Sequence, residues 1–163
     1  MIVLVGFMGA GKTTVGHLLS ERLGLPFIDS DLVIEHRSGR SVRQIFAEDG
    51  EPAFRELERQ VVADLIDGPE AVLALGGGAA EHPDTVVRLK CAQVVYLQVG
   101  YDEAMLRVAG DEYRPMLRRP DLETLYQRRL GVYGNVATLT VATDGRRPEA
   151  VTAEVLRAIA RDT

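Results

Sequence analysis

The chain has 163 residues, 46% of them apolar, and a formal net charge of −5. That is one domain's length with enough apolar mass for a sizeable core, and the acidic balance argues against a protein built to coat nucleic acid. No apolar run approaches the roughly 20 residues of a membrane span, so a cytoplasmic protein without membrane contact is expected.

The first predicted element is the run Ile2-Val3-Leu4-Val5, a short buried strand. It leads directly into Gly6-Phe7-Met8-Gly9-Ala10-Gly11-Lys12-Thr13, a complete G-x-x-x-x-G-K-[ST] phosphate loop. A helical pattern over 12–23 follows, through Thr14, Val15, Leu18, Leu19 and Leu23. At average composition the four fixed positions would match by accident in roughly one chain of this length in a few hundred, and the strand–helix context makes accident rarer. Glycines let successive N–H groups point inward, and the helix N-terminus adds its positive dipole end. Lys12 then reaches the β/γ-phosphates and the Thr13 hydroxyl can ligate Mg²⁺. The chain is therefore expected to bind a nucleoside triphosphate. Because the first apolar run is only a strand long and enters this loop at once, no secretory leader is expected.

Further along, Gly24 and Pro26 punctuate the first helix, and Pro26-Phe27-Ile28 is a short strand ending at Asp29-Ser30-Asp31. The runs 71–75, 94–99 and 139–142 read as strands buried on both faces. Helices are predicted near 31–36, 42–48, 51–67, 84–89, 102–108, 122–133 and 148–160. Such alternation predicts a parallel α/β sheet with helices on both faces, as one domain over 1–163. The irregular stretch 109–121, with Gly110, Pro115 and Pro120 among charges, is long enough to suggest a lid. Cys91 stands alone, so it closes no internal disulfide, which suits a reducing compartment. It reads as a small buried residue opening a strand. Lys12 and Lys90 are the only lysines, so arginine is favoured throughout and each arginine must be argued from its surroundings.

Three constellations could carry chemistry. Asp29 and Asp31 stand at the carboxyl end of the second predicted strand, where open α/β sheets bind ligands. Read as i and i+2 of that strand, they face one side, one to orient a Mg²⁺ water and the other to take a proton. The bland alternative is a turn with an Asp helix cap. Gly76-Gly77-Gly78 follows the strand at 71–75, leaving room for a ligand against backbone N–H groups, or simply making a flexible turn. Arg55 and Glu58 share a helix face, as a carboxylate fork with its orienting partner or as a solvated ion pair. Arg129 and the pair Arg146-Arg147 are as ambiguous in isolation, and the three histidines show no metal-ligand spacing.

Taken in order, these pieces resemble the shikimate kinase family over nearly the whole chain. The resemblance rests on Val5 to Gly16, Phe27-Ile28-Asp29-Ser30-Asp31, Phe54-Arg55-Glu56-Leu57-Glu58, Gly76-Gly77-Gly78-Ala79, Val95-Tyr96-Leu97, Tyr113-Arg114-Pro115-Met116-Leu117 and Arg128-Arg129. It implies a three-layer P-loop fold of the nucleoside monophosphate kinase type, monomeric, with a lid at about 109–121 and a substrate-binding helical region at about 31–60. The implied reaction moves the ATP γ-phosphate to the 3-hydroxyl of shikimate, with Mg²⁺. Asp31, Arg55, Glu58, Gly76, Gly77, Gly78 and Arg129 would contact shikimate, the two arginines on its carboxylate. Asp31 would be the base, and Thr13 and (through water) Asp29 would serve the metal. Gly9, Ala10, Gly11, Lys12, Thr13 and Thr14 would hold the nucleotide. Lys12 and Arg114 would stabilise the moving phosphoryl, while Arg107 and Arg147 flank adenine. The chain departs from the family where a Pro-Leu pair usually precedes the tyrosine near the carboxylate arginine; here Gly131-Val132-Tyr133 stands.

Two rivals share the phosphate loop: a gluconate-type small-metabolite kinase, and a regulatory nucleotide switch. The first would not be expected to combine Asp29-x-Asp31, Phe54-Arg55 and the glycine triplet. The second does not need the carboxylate pair or a lid arginine.

Overall fold

The computed structural model describes residues 1–109 and 115–161. In chain order these form β1 (Ile2–Val5), α1 (Lys12–Leu23), β2 (Phe27–Asp29), α2 (Ser30–Ser38), α3 (Val42–Glu48), α4 (Glu51–Ile66) and β3 (Val72–Ala74). Then follow α5 (Pro83–Leu89), β4 (Gln93–Gln98), α6 (Tyr101–Val108), α7 (Leu122–Val136), β5 (Leu139–Ala142) and α8 (Pro148–Ile159). Short 3₁₀ turns at Ala79–Glu81 and Pro115–Arg118 were not anticipated from sequence.

All four strand pairings are parallel, in the order β2-β3-β1-β4-β5. β1 lies at the centre, with Ile2 opposite Val72 on one side and Gln93 on the other. Helices cover both faces, which is why β1, β3 and the middle of β4 are continuously apolar. The edge strand β5 alternates instead, burying Val141 while Thr140 and Ala142 are exposed. The chain leaves β1 for the β2–β3 side and later crosses to β4, so the carboxyl end of β1 is a topological switch point, where this architecture binds ligands. The phosphate loop occupies that point.

Two apolar clusters form. The larger packs α1, α7 and α8 against the sheet through residues such as Leu4, Leu19, Leu73, Leu97, Leu125 and Val155. A smaller one joins α2, α3 and α4 through Ile34, Ile45, Phe54 and Val61, with Phe46 leaning on Phe54 at 4.7 Å between ring centroids. Each of these four buried side chains contributes about 1.5–3 kcal/mol, enough to hold three short helices as one block over the cleft. Ser41 and Gln44 close a capping box at the start of α3.

Several expectations change. β2 ends at Asp29, and Asp31 belongs to the first turn of α2. Strand alternation therefore does not bring the two aspartates together; the strand-to-helix turn does. α7 runs past Tyr133 to Val136, since Gly131 and Gly134 weaken a helix without breaking it as proline would. Cys91 is exposed, in the turn before β4, and not a buried strand residue. Gly24 does end α1, in the left-handed region at φ 66°. No helix among the described residues is long and apolar enough to cross a membrane.

Candidate active site

A cleft of about 680 Å³ opens at the carboxyl ends of β1, β2 and β3, within the usual size for a small-molecule site. Its floor is the phosphate loop. Gly9 and Gly11 have φ of 77° and 90°, values that side-chain-bearing residues seldom adopt, so both positions require glycine for the inward curl of the loop. Lys12 folds back over the loop, donating from Nζ to the carbonyls of Gly6 (2.7 Å) and Phe7 (3.2 Å). Gly9, Gly11, Lys12, Thr13 and Thr14 line the cleft; Ala10 is buried behind it.

Asp29 and Asp31 both line the cleft from the end of β2. Asp29 also does the structural work of a cap: its Oδ1 accepts from the backbone N–H of Asp31 at 2.9 Å and of Leu32 at 3.4 Å. Asp31 carries the strained charge. Burial pushes its carboxyl up to about 7, reinforced by the negative charges of Asp29 and Glu58 and opposed by Lys12 and Arg55. Asp31 Oδ1 and Glu58 Oε1 are buried and have no hydrogen-bond partner among the described residues. Burial likewise pushes Glu58 upward, against the pull of Arg55.

The glycine triplet makes room chiefly for charged side chains. A methyl on Gly76 would lie 2.7 Å from Asp31 Oδ1 and 2.8 Å from Glu58 Oε1. One on Gly77 would meet Arg129 Nη1 at 3.2 Å, and one on Gly78 would sit 2.4 Å from Arg55 Nη1. The N–H of Gly76 is not free for a ligand; it donates to Ser30 Oγ at 3.0 Å. The two guanidinium groups thus rest against consecutive glycines, and both line the same cleft. Arg55 is held by Glu58 Oε2 at 2.6 Å and Glu51 Oε1 at 3.3 Å, and Arg119 reaches the other oxygen of Glu51 at 3.4 Å. Arg129 is almost sealed from solvent and bonded to Glu81.

At the opposite end Arg107 stitches the phosphate loop to the end of β5, donating to Gly9 O at 3.1 Å and to Thr143 O at 2.8 Å. Arg146 is consumed internally, by Ala142 O (2.8 Å) and Glu154 (2.7 Å), whereas the Arg147 side chain is exposed. Arg114 lies outside the described residues. Sequence reading missed Ser30, Glu81 and Tyr133. Tyr133 is buried, and its hydroxyl donates to Gly77 O at 2.6 Å, fixing the triplet from below. Among the described residues no group of three or more His, Cys, Asp or Glu is placed to hold a metal.

A parallel sheet with this loop at its switch point, and a walled cleft beside it, is the architecture of P-loop phosphotransferases. A deoxyadenosine kinase from M. mycoides (TM-score 0.64, 16% identity, 99% of each chain) and a gluconokinase from Sinorhizobium meliloti (0.58, 20%, 98% and 91%) share the fold. The shikimate kinase family model matches residues 8–160. The shikimate kinase of Thermobifida fusca is 48% identical over 152 residues, covering 91% of this chain and 88% of its own, and that of Streptomyces coelicolor is 46% identical over 162 residues, covering 98% and 95%. A shikimate kinase from Acinetobacter baumannii, solved in complex with shikimate, superposes with TM-score 0.93 at 36% identity over 99% of this chain and 93% of that one. The chain belongs to the shikimate kinase family, ATP-dependent phosphotransferases.

Proposed function

We propose that the protein transfers the γ-phosphate of ATP to the 3-hydroxyl of shikimate, giving shikimate 3-phosphate and ADP on the route to chorismate. The carrying observation is the pair Arg55 and Arg129, set against consecutive glycines beside the buried Asp31. Two forks on adjacent positions suit a carboxylate, and Asp31 Oδ1 and Glu58 Oε1, without partners among the described residues, suit a polyhydroxylated ring that brings donors. Shikimate has both. A neutral polyol would bring no carboxylate for the two forks to receive.

In this reading Asp31 takes the proton of the attacking hydroxyl, its raised affinity matching a general base that works near neutrality. Lys12 and the N–H groups of the phosphate loop stabilise the charge of the moving phosphoryl. Thr13 and, through water, Asp29 are the Mg²⁺ side of the site. The fit is of the kind Mg²⁺ uses, one or two protein oxygens with the rest supplied by phosphates and water, and the ion would neutralise phosphate charge. Arg107 and the exposed Arg147 flank adenine. The segment at about 31–60 is the acceptor-binding region; the lid expected at about 109–121 includes residues 110–114, Arg114 among them, which lie outside the described residues. The protein acts as a cytoplasmic monomer without nucleic-acid partners. A coupled assay of ADP release with ATP and Mg²⁺ against shikimate, quinate and gluconate tests this: turnover confined to shikimate is expected, and preference for gluconate would overturn it.

A further inference from the structure

The arginine of the clamp with the least access to water is held by a carboxylate outside the cleft. We propose that Glu81 is a positioning residue for the acceptor, gripping the Arg129 guanidinium by its Nε–Nη2 edge so that Nη1 is turned to the glycine triplet. The inference rests on the reading of Arg129 as half of the carboxylate clamp.

Arg129 is only 2% exposed, so its charge has lost most of its hydration and needs an anion and good hydrogen bonds to stay where it is. Glu81 Oε2 accepts from Arg129 Nη2 at 3.0 Å and from Nε at 3.3 Å. The other oxygen, Oε1, accepts from Arg128 Nη2 at 2.9 Å and Nε at 3.1 Å. The carboxylate is thus pinned at both oxygens and cannot rotate away. The edge of Arg129 that Glu81 leaves open carries Nη1, the atom a methyl on Gly77 would meet at 3.2 Å. Glu81 ends the 3₁₀ turn that follows the triplet, and its own N–H donates to Gly78 O at 3.1 Å. One turn therefore places the glycines and aims the arginine over them. Burial pushes the Glu81 carboxyl up, but Arg129 and Arg128 outweigh it and keep it below its ordinary value, so it stays ionised at working pH. With Glu51, Glu58, Glu81 and Asp121 against Arg55, Arg119, Arg128 and Arg129, the formal charges of the ion-paired cluster balance before any ligand arrives. Orientation and not surplus charge is then what the clamp offers a carboxylate, and orientation set in advance costs nothing on binding.

Steady-state kinetics of Glu81→Ala, Glu81→Gln, Arg128→Ala, Arg129→Ala and the Glu81→Ala/Arg129→Ala double variant test this. Glu81→Ala is expected to raise KM for shikimate about tenfold, the worth of one charge-assisted hydrogen bond, with kcat and KM for ATP within about twofold. Glu81→Gln keeps one acceptor oxygen but not the anion and should recover only part of that loss, while Arg128→Ala, at an exposed position, should raise KM about threefold. The double variant should be no worse than Arg129→Ala, since Glu81 acts through that residue. If Arg129→Ala raises KM for shikimate while Glu81→Ala leaves it unchanged or lowers it, Glu81 is merely a repelling neighbour and the inference falls. If Arg129→Ala itself leaves KM unchanged, it is the clamp that fails.

Discussion

Replacing Asp31 with asparagine should inactivate the enzyme and stabilise its fold, and both effects have one cause. The carboxyl is raised from 3.8 to about 7, first by burial and then by Asp29 and Glu58. A folded-state pKa above the unfolded one means that the folded protein holds the proton more tightly, so stability falls as pH climbs through that window. One pH unit of such a difference is about 1.4 kcal/mol. The climb from about pH 5.5 to about pH 7 therefore costs the wild type about 2 kcal/mol, and above that the penalty is constant. Asparagine does not titrate, so its melting temperature relative to wild type should be about 4–8 °C higher at pH 8 than at pH 5.5, at roughly 2–4 °C per kcal/mol for a chain of this size. Comparing the two pH values cancels any packing change made by the amide. The measurement is a thermal melt of both proteins, without ligands, across that range. A difference that does not vary with pH would show that Asp31 ionises in the fold as readily as in water, and the general-base reading would lose its physical basis. The same ionisation governs turnover. Wild-type kcat/KM for shikimate should drop about tenfold per unit below pH 7, and Asp31→Asn should lose at least about a hundredfold in kcat.

Lys12→Met should keep the fold by circular dichroism but reduce turnover to background, because transfer depends almost wholly on charge stabilisation; near-normal turnover would remove the phosphate-loop assignment. Arg55→Lys should weaken shikimate binding in calorimetry with nucleotide affinity little changed, since lysine lacks the planar fork. In the same titration the wild type should prefer shikimate to its carboxamide, and equal affinity would sink the clamp. Gly78→Ala places a methyl 2.4–2.6 Å from the Arg55 guanidinium, so it should raise KM for shikimate about tenfold or more while ATP binding holds; an unchanged KM would mean that Arg55 does not need its place over the triplet.

What could be read from the sequence was what local chemistry decides. The phosphate loop is a run of eight residues whose glycines, lysine and threonine act within one turn, and the buried strands announce themselves as apolar runs because both faces of a parallel sheet are covered. The two aspartates do line the cleft at the carboxyl end of β2, but not by the alternation that their spacing suggests. Strand alternation does not operate across Asp29, where Ser30 already begins a helix. The difference between Arg146 and Arg147 is visible only in the fold, where Glu154 binds the first and the second stays exposed. Glu81 and Tyr133 were illegible for a related reason: their partners, Arg129 and Gly77, lie 48 and 56 residues away. Nothing within a few residues of either signals the contact.

The glycine triplet shows why the acceptor pocket is both legible and incompletely so. Three consecutive glycines suggest that backbone approaches a ligand, and they do mark the pocket. Their first use, though, is to admit protein: two buried carboxylate oxygens crowd Gly76, and one guanidinium each presses on Gly77 and Gly78. Charges brought this close without water are costly unless something completes them. The arginines have glutamates to offset them, but Asp31 Oδ1 and Glu58 Oε1 lack donors among the described residues. A ligand carrying hydroxyl donors would supply what those two buried oxygens lack among the described residues. The raised Asp31 pKa, the two buried oxygens without donors among the described residues and the excess stability expected of Asp31→Asn are then three readings of one arrangement, a site that is least stable at the position where, in the proposed reaction, the acceptor hydroxyl loses its proton.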